Sequence, residues 1–143
     1  MDFNLLKKLS WELKQKFAAK CLEKYCEKYK INDNSINELV EHLYTMEKYR
    51  NEYYDLATWE SNGTELELTG RGDPLPEKLE KKIPEDKIKE FNEILEYTVE
   101  VGLCDMYGAL TEEPFEFLMK CIKILEINSI ELPNEIINFV EGK

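Results

Sequence analysis

Thirty acidic side chains, four cysteines and a single histidine are the residues of this chain that could carry out chemistry. Paired carboxylates serve glycoside hydrolysis, and di-iron bundles add histidine at Glu-x-x-His spacing. Neither pattern is spelled out. Glu38 and Glu41 precede His42 at offsets of four and one, and no second histidine exists to complete another motif. His42 beside Glu41 falls at the rim of an apolar helical stripe, where a partly exposed side chain without a catalytic task is expected. No Gly-rich phosphate loop occurs.

The thiols point the same way. Cys21, Cys26, Cys104 and Cys121 contain no Cys-x-x-Cys pair. A five-residue step separates Cys21 from Cys26 by about 140° on a helix, which does not suit the usual zinc spacings. Free buried thiols are therefore expected, with no disulfide, no metal and no cofactor. Taken together, these residues predict a protein that is not an enzyme and has no catalytic site.

Charge placement is the most unusual feature. The formal net charge is -11, and residues 84–143 hold fourteen Asp or Glu against five Lys. Within that half, Glu93, Glu96 and Glu100 recur at helical spacing with Glu90 alongside, and no basic residue occurs between Lys89 and Lys120. Like charges so spaced cost a few tenths of a kcal/mol per pair (~0.3). Folding gains nothing from them, whereas a basic partner would, because complementary charge speeds encounter and disfavours wrong partners. Tyr97 and Tyr107 lie nearby and offer large contact area with a polar tip. The candidate partner-binding residues are thus Glu90, Glu93, Glu96, Glu100, Tyr97 and Tyr107. The same acidity argues against nucleic acid, since phosphate contacts need a basic surface.

These groups must be held by helices. A chain of 143 residues with 43% hydrophobic and 11% aromatic content fits a single domain spanning 1–143 with its own core. Leu13, Phe17, Cys21 and Tyr25 make an i, i+4 ridge from Ser10 to about Tyr29. Ser35 with Glu38 spells a capping box for a second helix that carries Ile36, Leu39, Val40, Leu43 and Met46, and its helical character continues, straight or after a kink, to Trp59. Asn62-Gly63 ends it. Pro84 suits the first position of a third helix, with Ile88, Phe91, Leu95, Thr98, Val99 and Gly102 on one side. Pro114 starts a fourth, with Phe117, Leu118, Cys121, Ile122 and Leu125 inward and Asn128 as a left-handed cap. Pro133 begins a short last helix.

Residues 64–69 alternate with period two and read either as a short strand, paired with 129–132, or as a loop. The expected fold class is all-α, a compact bundle of about five helices with room for one minor β pairing. Arg71-Gly72-Asp73 and Asn62-Gly63-Thr64 spell surface motifs, but the turn chemistry of this segment accounts for them. Lys7 and Lys8 follow the first apolar residues, the reverse of a signal peptide, and no window is long enough for a membrane span. The expectation is a cytoplasmic protein with no membrane partner.

Several segments resemble helical immunity proteins of bacterial polymorphic toxin systems. They are Phe17-Ala18-Ala19-Lys20-Cys21, Trp59, the run Glu100-Val101-Gly102-Leu103-Cys104-Asp105-Met106-Tyr107-Gly108-Ala109, Phe117-Leu118, and the run from Ile124 to Pro133. The likeness spans most of the chain. It implies a non-enzymatic protein that binds one cognate toxin domain and neutralises it. The alternative is a helical adaptor or regulatory module that binds protein without catalysis.

Overall fold

The computed structural model describes residues 3–50, 55–63, 75–105, 108 and 110–133. Every regular element among them is helical, and together they pack as an all-α bundle. In chain order these are α1 (Phe3–Lys8), α2 (Trp11–Tyr29), α3 (Asn34–Tyr44), α4 (Met46–Lys48), α5 (Leu56–Asn62), α6 (Glu77–Glu80), a 3-10 turn (Glu85–Lys87), α7 (Ile88–Leu103) and α8 (Glu113–Ile127). The helices α2, α7 and α8 pack mutually and form the centre, while α3 lies against α2.

Helix α2 begins where expected because Ser10 caps it, its hydroxyl accepting from the Leu13 amide at 3.3 Å. Such a cap is worth about 1 kcal/mol. The ridge of Phe17, Cys21 and Tyr25 is fully buried, with Ala18, Ala19 and Leu22 beside it. Leu13, which the spacing placed in the core, is only partly buried. Two side chains near the start of α2 stitch it to α7. Trp11 Nε1 donates to the Val101 carbonyl at 2.6 Å, and Gln15 Nε2 donates to the Thr98 carbonyl at 2.7 Å.

The ends of α2 and α8 share one device. Lys30 takes φ 55° and Ser129 takes φ 55°. The next amide in each case turns back five residues, Ile31 to the Cys26 carbonyl and Ile130 to the Leu125 carbonyl, both at 2.9 Å. This satisfies carbonyls that the helix leaves without partners, and it tucks the following isoleucine against the core. Ser129, not Asn128, is thus the left-handed residue of α8. Asn128 has φ -93° and serves as a polar link instead.

Other boundaries differ from the sequence expectation for local reasons. Asp33 caps α3, accepting from the Ser35 amide at 3.0 Å, so Ser35 lies inside the helix and the expected box with Glu38 does not open it. The second helical stretch, expected to reach Trp59 straight or after a kink, is interrupted. Thr45 turns its hydroxyl onto the His42 carbonyl at 2.6 Å and separates α3 from α4, and Asp55 caps α5 afresh through the Thr58 amide at 3.1 Å. Pro84 has ψ 134° and precedes the 3-10 turn, so α7 starts at Ile88. Pro114 does sit in the first turn of α8.

Residues 129–132 form no strand. The expected strand at 64–69, the Arg71-Gly72-Asp73 motif and the last helix after Pro133 lie outside the described residues. Among the described residues, no helix is long and apolar enough to cross a membrane.

Candidate protein-binding surface

Helix α7 presents two opposite faces. Phe91, Ile94, Leu95, Thr98, Val99, Val101 and Gly102 are buried against α2 and α8. At about 100° per residue, Glu93, Glu96 and Glu100 fall within about 60° of one another on the far side. Glu96 is exposed, and Glu93 and Glu100 are half-buried. Among the described residues, Glu93 and Glu96 form no ion pair. Lys89 stands exposed at the head of the same strip.

Tyr97 flanks the strip and packs against Phe117 of α8, ring centroids 6.2 Å apart. Both rings are half-buried, and the Tyr97 hydroxyl has no hydrogen-bond partner among the described residues. Burial, followed by the nearby carboxylates of Glu93 and Glu96, pushes that hydroxyl's pKa up. Lys120 lies over both rings, its Nζ 5.2 Å from the Tyr97 centroid and 5.1 Å from that of Phe117. A basic residue therefore does stand at the flank of the acidic strip, over Tyr97. Sequence spacing missed it because Lys120 arrives from another helix.

Glu90 separates from the other three glutamates. Its Oε1 accepts from the Tyr25 hydroxyl and from Asn128 Nδ2, both at 2.9 Å, and Lys87 Nζ stands 3.7 Å away. Asn128 also receives the Tyr29 hydroxyl and, at its carbonyl, Lys28. Glu90 thus ties α2, α7 and the end of α8 together. Tyr107 lies outside the described residues.

His42 is engaged in structure as well. Its ring stacks on Trp59, centroids 5.3 Å apart and planes 6° from parallel. His42 Nε2 is 2.8 Å from the Trp59 carbonyl, which can only accept, so Nε2 carries the proton. Trp59 Nε1 returns a bond to the His42 carbonyl at 3.0 Å. The histidine clasps α5 onto α3.

The four cysteines are free. One three-donor grouping occurs among the described residues: donor atoms of Cys104, Asp105 and Glu113 lie within 4.8 Å of one another. Asp105 is already committed to ordering the start of α8, accepting from the Thr111 amide at 2.6 Å and its hydroxyl at 2.8 Å. Burial, with Asp105, Glu113 and Glu100, pushes the Cys104 thiol up to about 12. Three donors also fall short of a closed zinc site.

A cleft of about 460 Å³ opens between the start of α2 and the loop before α8, lined by Trp11, Glu12, Lys14, Arg50 and Asp105 among others. Its buried carboxylate, Glu12, faces Arg50 Nε at 2.9 Å, although out of line for a hydrogen bond. Arg50 also covers the Trp11 ring at 5.4 Å. Arg50 and Glu12 thus form part of the cleft's wall.

The chain matches no model of a known protein family, no curated protein sequence and no solved structure. What it does must be argued from its surface.

Proposed function

We propose that this protein is a stoichiometric inhibitor, an immunity protein that binds a cognate basic toxin domain through the outer face of α7 and blocks it without catalysis. The observation that carries the reading is the strip of Glu93, Glu96 and Glu100 opposite the buried face of α7, bordered by the half-exposed Tyr97 and Phe117. Helix stability gives no reason for this arrangement, because like charges at i, i+3 and i+4 repel. Carboxylates around an aromatic anchor suit a protein interface, where charge guides encounter and rings hold the complex. The resemblance in the sequence supplies the kind of partner.

The experiment is to test the genes neighbouring this chain's own for a toxin domain, co-express any such domain with the chain, and measure association. Growth protection, with one-to-one binding, supports the reading. Changing Glu93, Glu96 and Glu100 together to Gln should leave the fold intact, slow association, and flatten its salt dependence. Charges steer over the Debye length of about 8–10 Å. Binding without protection would favour the adaptor instead. Protection with unchanged association rates would move the interface away from α7.

A further inference from the structure

The way Lys120 lies on two rings suggests what the acidic strip recognises. In α8, Phe117 and Lys120 are one turn apart, and Phe117 reaches across to Tyr97 of α7. The Lys120 ammonium sits above both rings, 5.2 and 5.1 Å from their centroids. Lys120 is exposed and forms no ion pair among the described residues, so the rings are its described contact. Glu93 and Glu96, on the same helix as Tyr97, act on its hydroxyl. A cation here meets two aromatic faces beside the acidic strip.

We propose that the Tyr97–Phe117 pair is an arginine-binding niche for a side chain of the partner protein, held by Lys120 in the free protein. The inference rests on the acidic-surface reading above and names the group that surface takes. Arginine fits better than lysine for two reasons. Its planar guanidinium stacks on aromatic faces and sheds water more readily than an ammonium. Its fork of donors can also bond the flanking carboxylates while it stacks. A lysine lying intramolecularly over the rings holds the niche without filling it as well, so an incoming arginine can displace it.

The test needs no toxin. A tri-arginine peptide is titrated into the full chain at low salt while the aromatic ring signals are followed by NMR, with a tri-lysine peptide in parallel. The expected result is saturable shifts at the rings of Tyr97 and Phe117, larger for tri-arginine. Removing the resident cation by Lys120→Met should tighten tri-arginine binding roughly two- to fivefold, the range of one exposed cation–π contact. Lys123→Met makes the same charge change on the same helix, and no described ring lies under Lys123; it should have a smaller effect.

Equal effects of Lys120→Met and Lys123→Met would reduce the niche to general electrostatics and overturn the proposal. Ring signals that stay fixed in the unaltered protein would also overturn it, whatever the variants do. Both results are independent of toxin protection. The immunity reading can therefore fail while the niche stands, and the niche can fail while protection is seen.

Discussion

Gly102 and Gln15 interlock across the α2–α7 contact: a β-carbon on Gly102 would stand 2.2 Å from Gln15 Oε1 and 3.0 Å from the edge of the Trp59 ring. Gln15 cannot simply swing aside, because it is fully buried and its Nε2 is bonded to the Thr98 carbonyl. Glycine at 102 is thus required by the space beside it. Gly102→Ala is expected to destabilise the fold by about 1–3 kcal/mol, the usual cost of overpacking. Urea denaturation would measure it. In a Gln15→Ala background the added penalty should shrink, since the clashing oxygen is gone. An unchanged penalty there would place the clash on Trp59.

The four glutamates of α7 should divide by function when each is changed to Ala. Glu90→Ala removes the acceptor of the Tyr25 hydroxyl and of Asn128 Nδ2. A loss of about 1–3 kcal/mol is expected, because the buried Tyr25 hydroxyl is left without its acceptor and Asn128 Nδ2 keeps only the Ile124 carbonyl. Glu96→Ala, at an exposed position, should stay within about 0.5 kcal/mol. Thermal melts of the two variants side by side would decide. Equal effects would mean that the link from Glu90 to α2 and α8 contributes nothing to stability.

Alkaline pH should unfold this protein more readily than its acidity suggests. Burial pushes Cys121 up to about 12 and, with Glu23 and Glu27 adding to it, Cys26 to about 12. Burial also raises Cys21, and burial with the Glu90 hydrogen bond raises Tyr25. An unfolded thiol titrates near 8.5 (~8.5), so above that pH the unfolded chain releases protons that the folded chain keeps. The stability contribution is therefore complete below the unfolded value and is lost as pH rises toward the folded one. The urea midpoint should hold steady from about pH 7 to 8 and fall by about pH 10, with a slope approaching roughly 1.4 kcal/mol per pH unit for each fully buried thiol. Cys121→Ala should flatten that slope even if it lowers the starting stability.

Local pattern was enough to define most helices and their inner faces. Phe17, Leu39, Leu43, Phe91, Leu95, Leu118, Ile122 and Leu125 are all buried, as their spacing along the chain requires. That information is local, because helical periodicity is set by 3.6 residues per turn and by the need to hide one apolar stripe. The acidic strip of α7 was legible for the same reason: Glu93, Glu96 and Glu100 share a face of their own helix.

The tertiary structure decided which polar groups that strip keeps. Only packing could remove Glu90 from the acidic strip by turning it toward Tyr25 and Asn128, which are distant in sequence. Only packing could carry Lys120 across from α8 onto Tyr97, or set His42 against Trp59 as a clasp. Contacts between helices depend on how ridges meet after the chain has closed on itself, and no spacing within one helix encodes which side chain of another will arrive. The sequence by itself thus determined where the charge lies along α7. The bundle determined that Glu90, unlike Glu96, is taken up in contacts between helices.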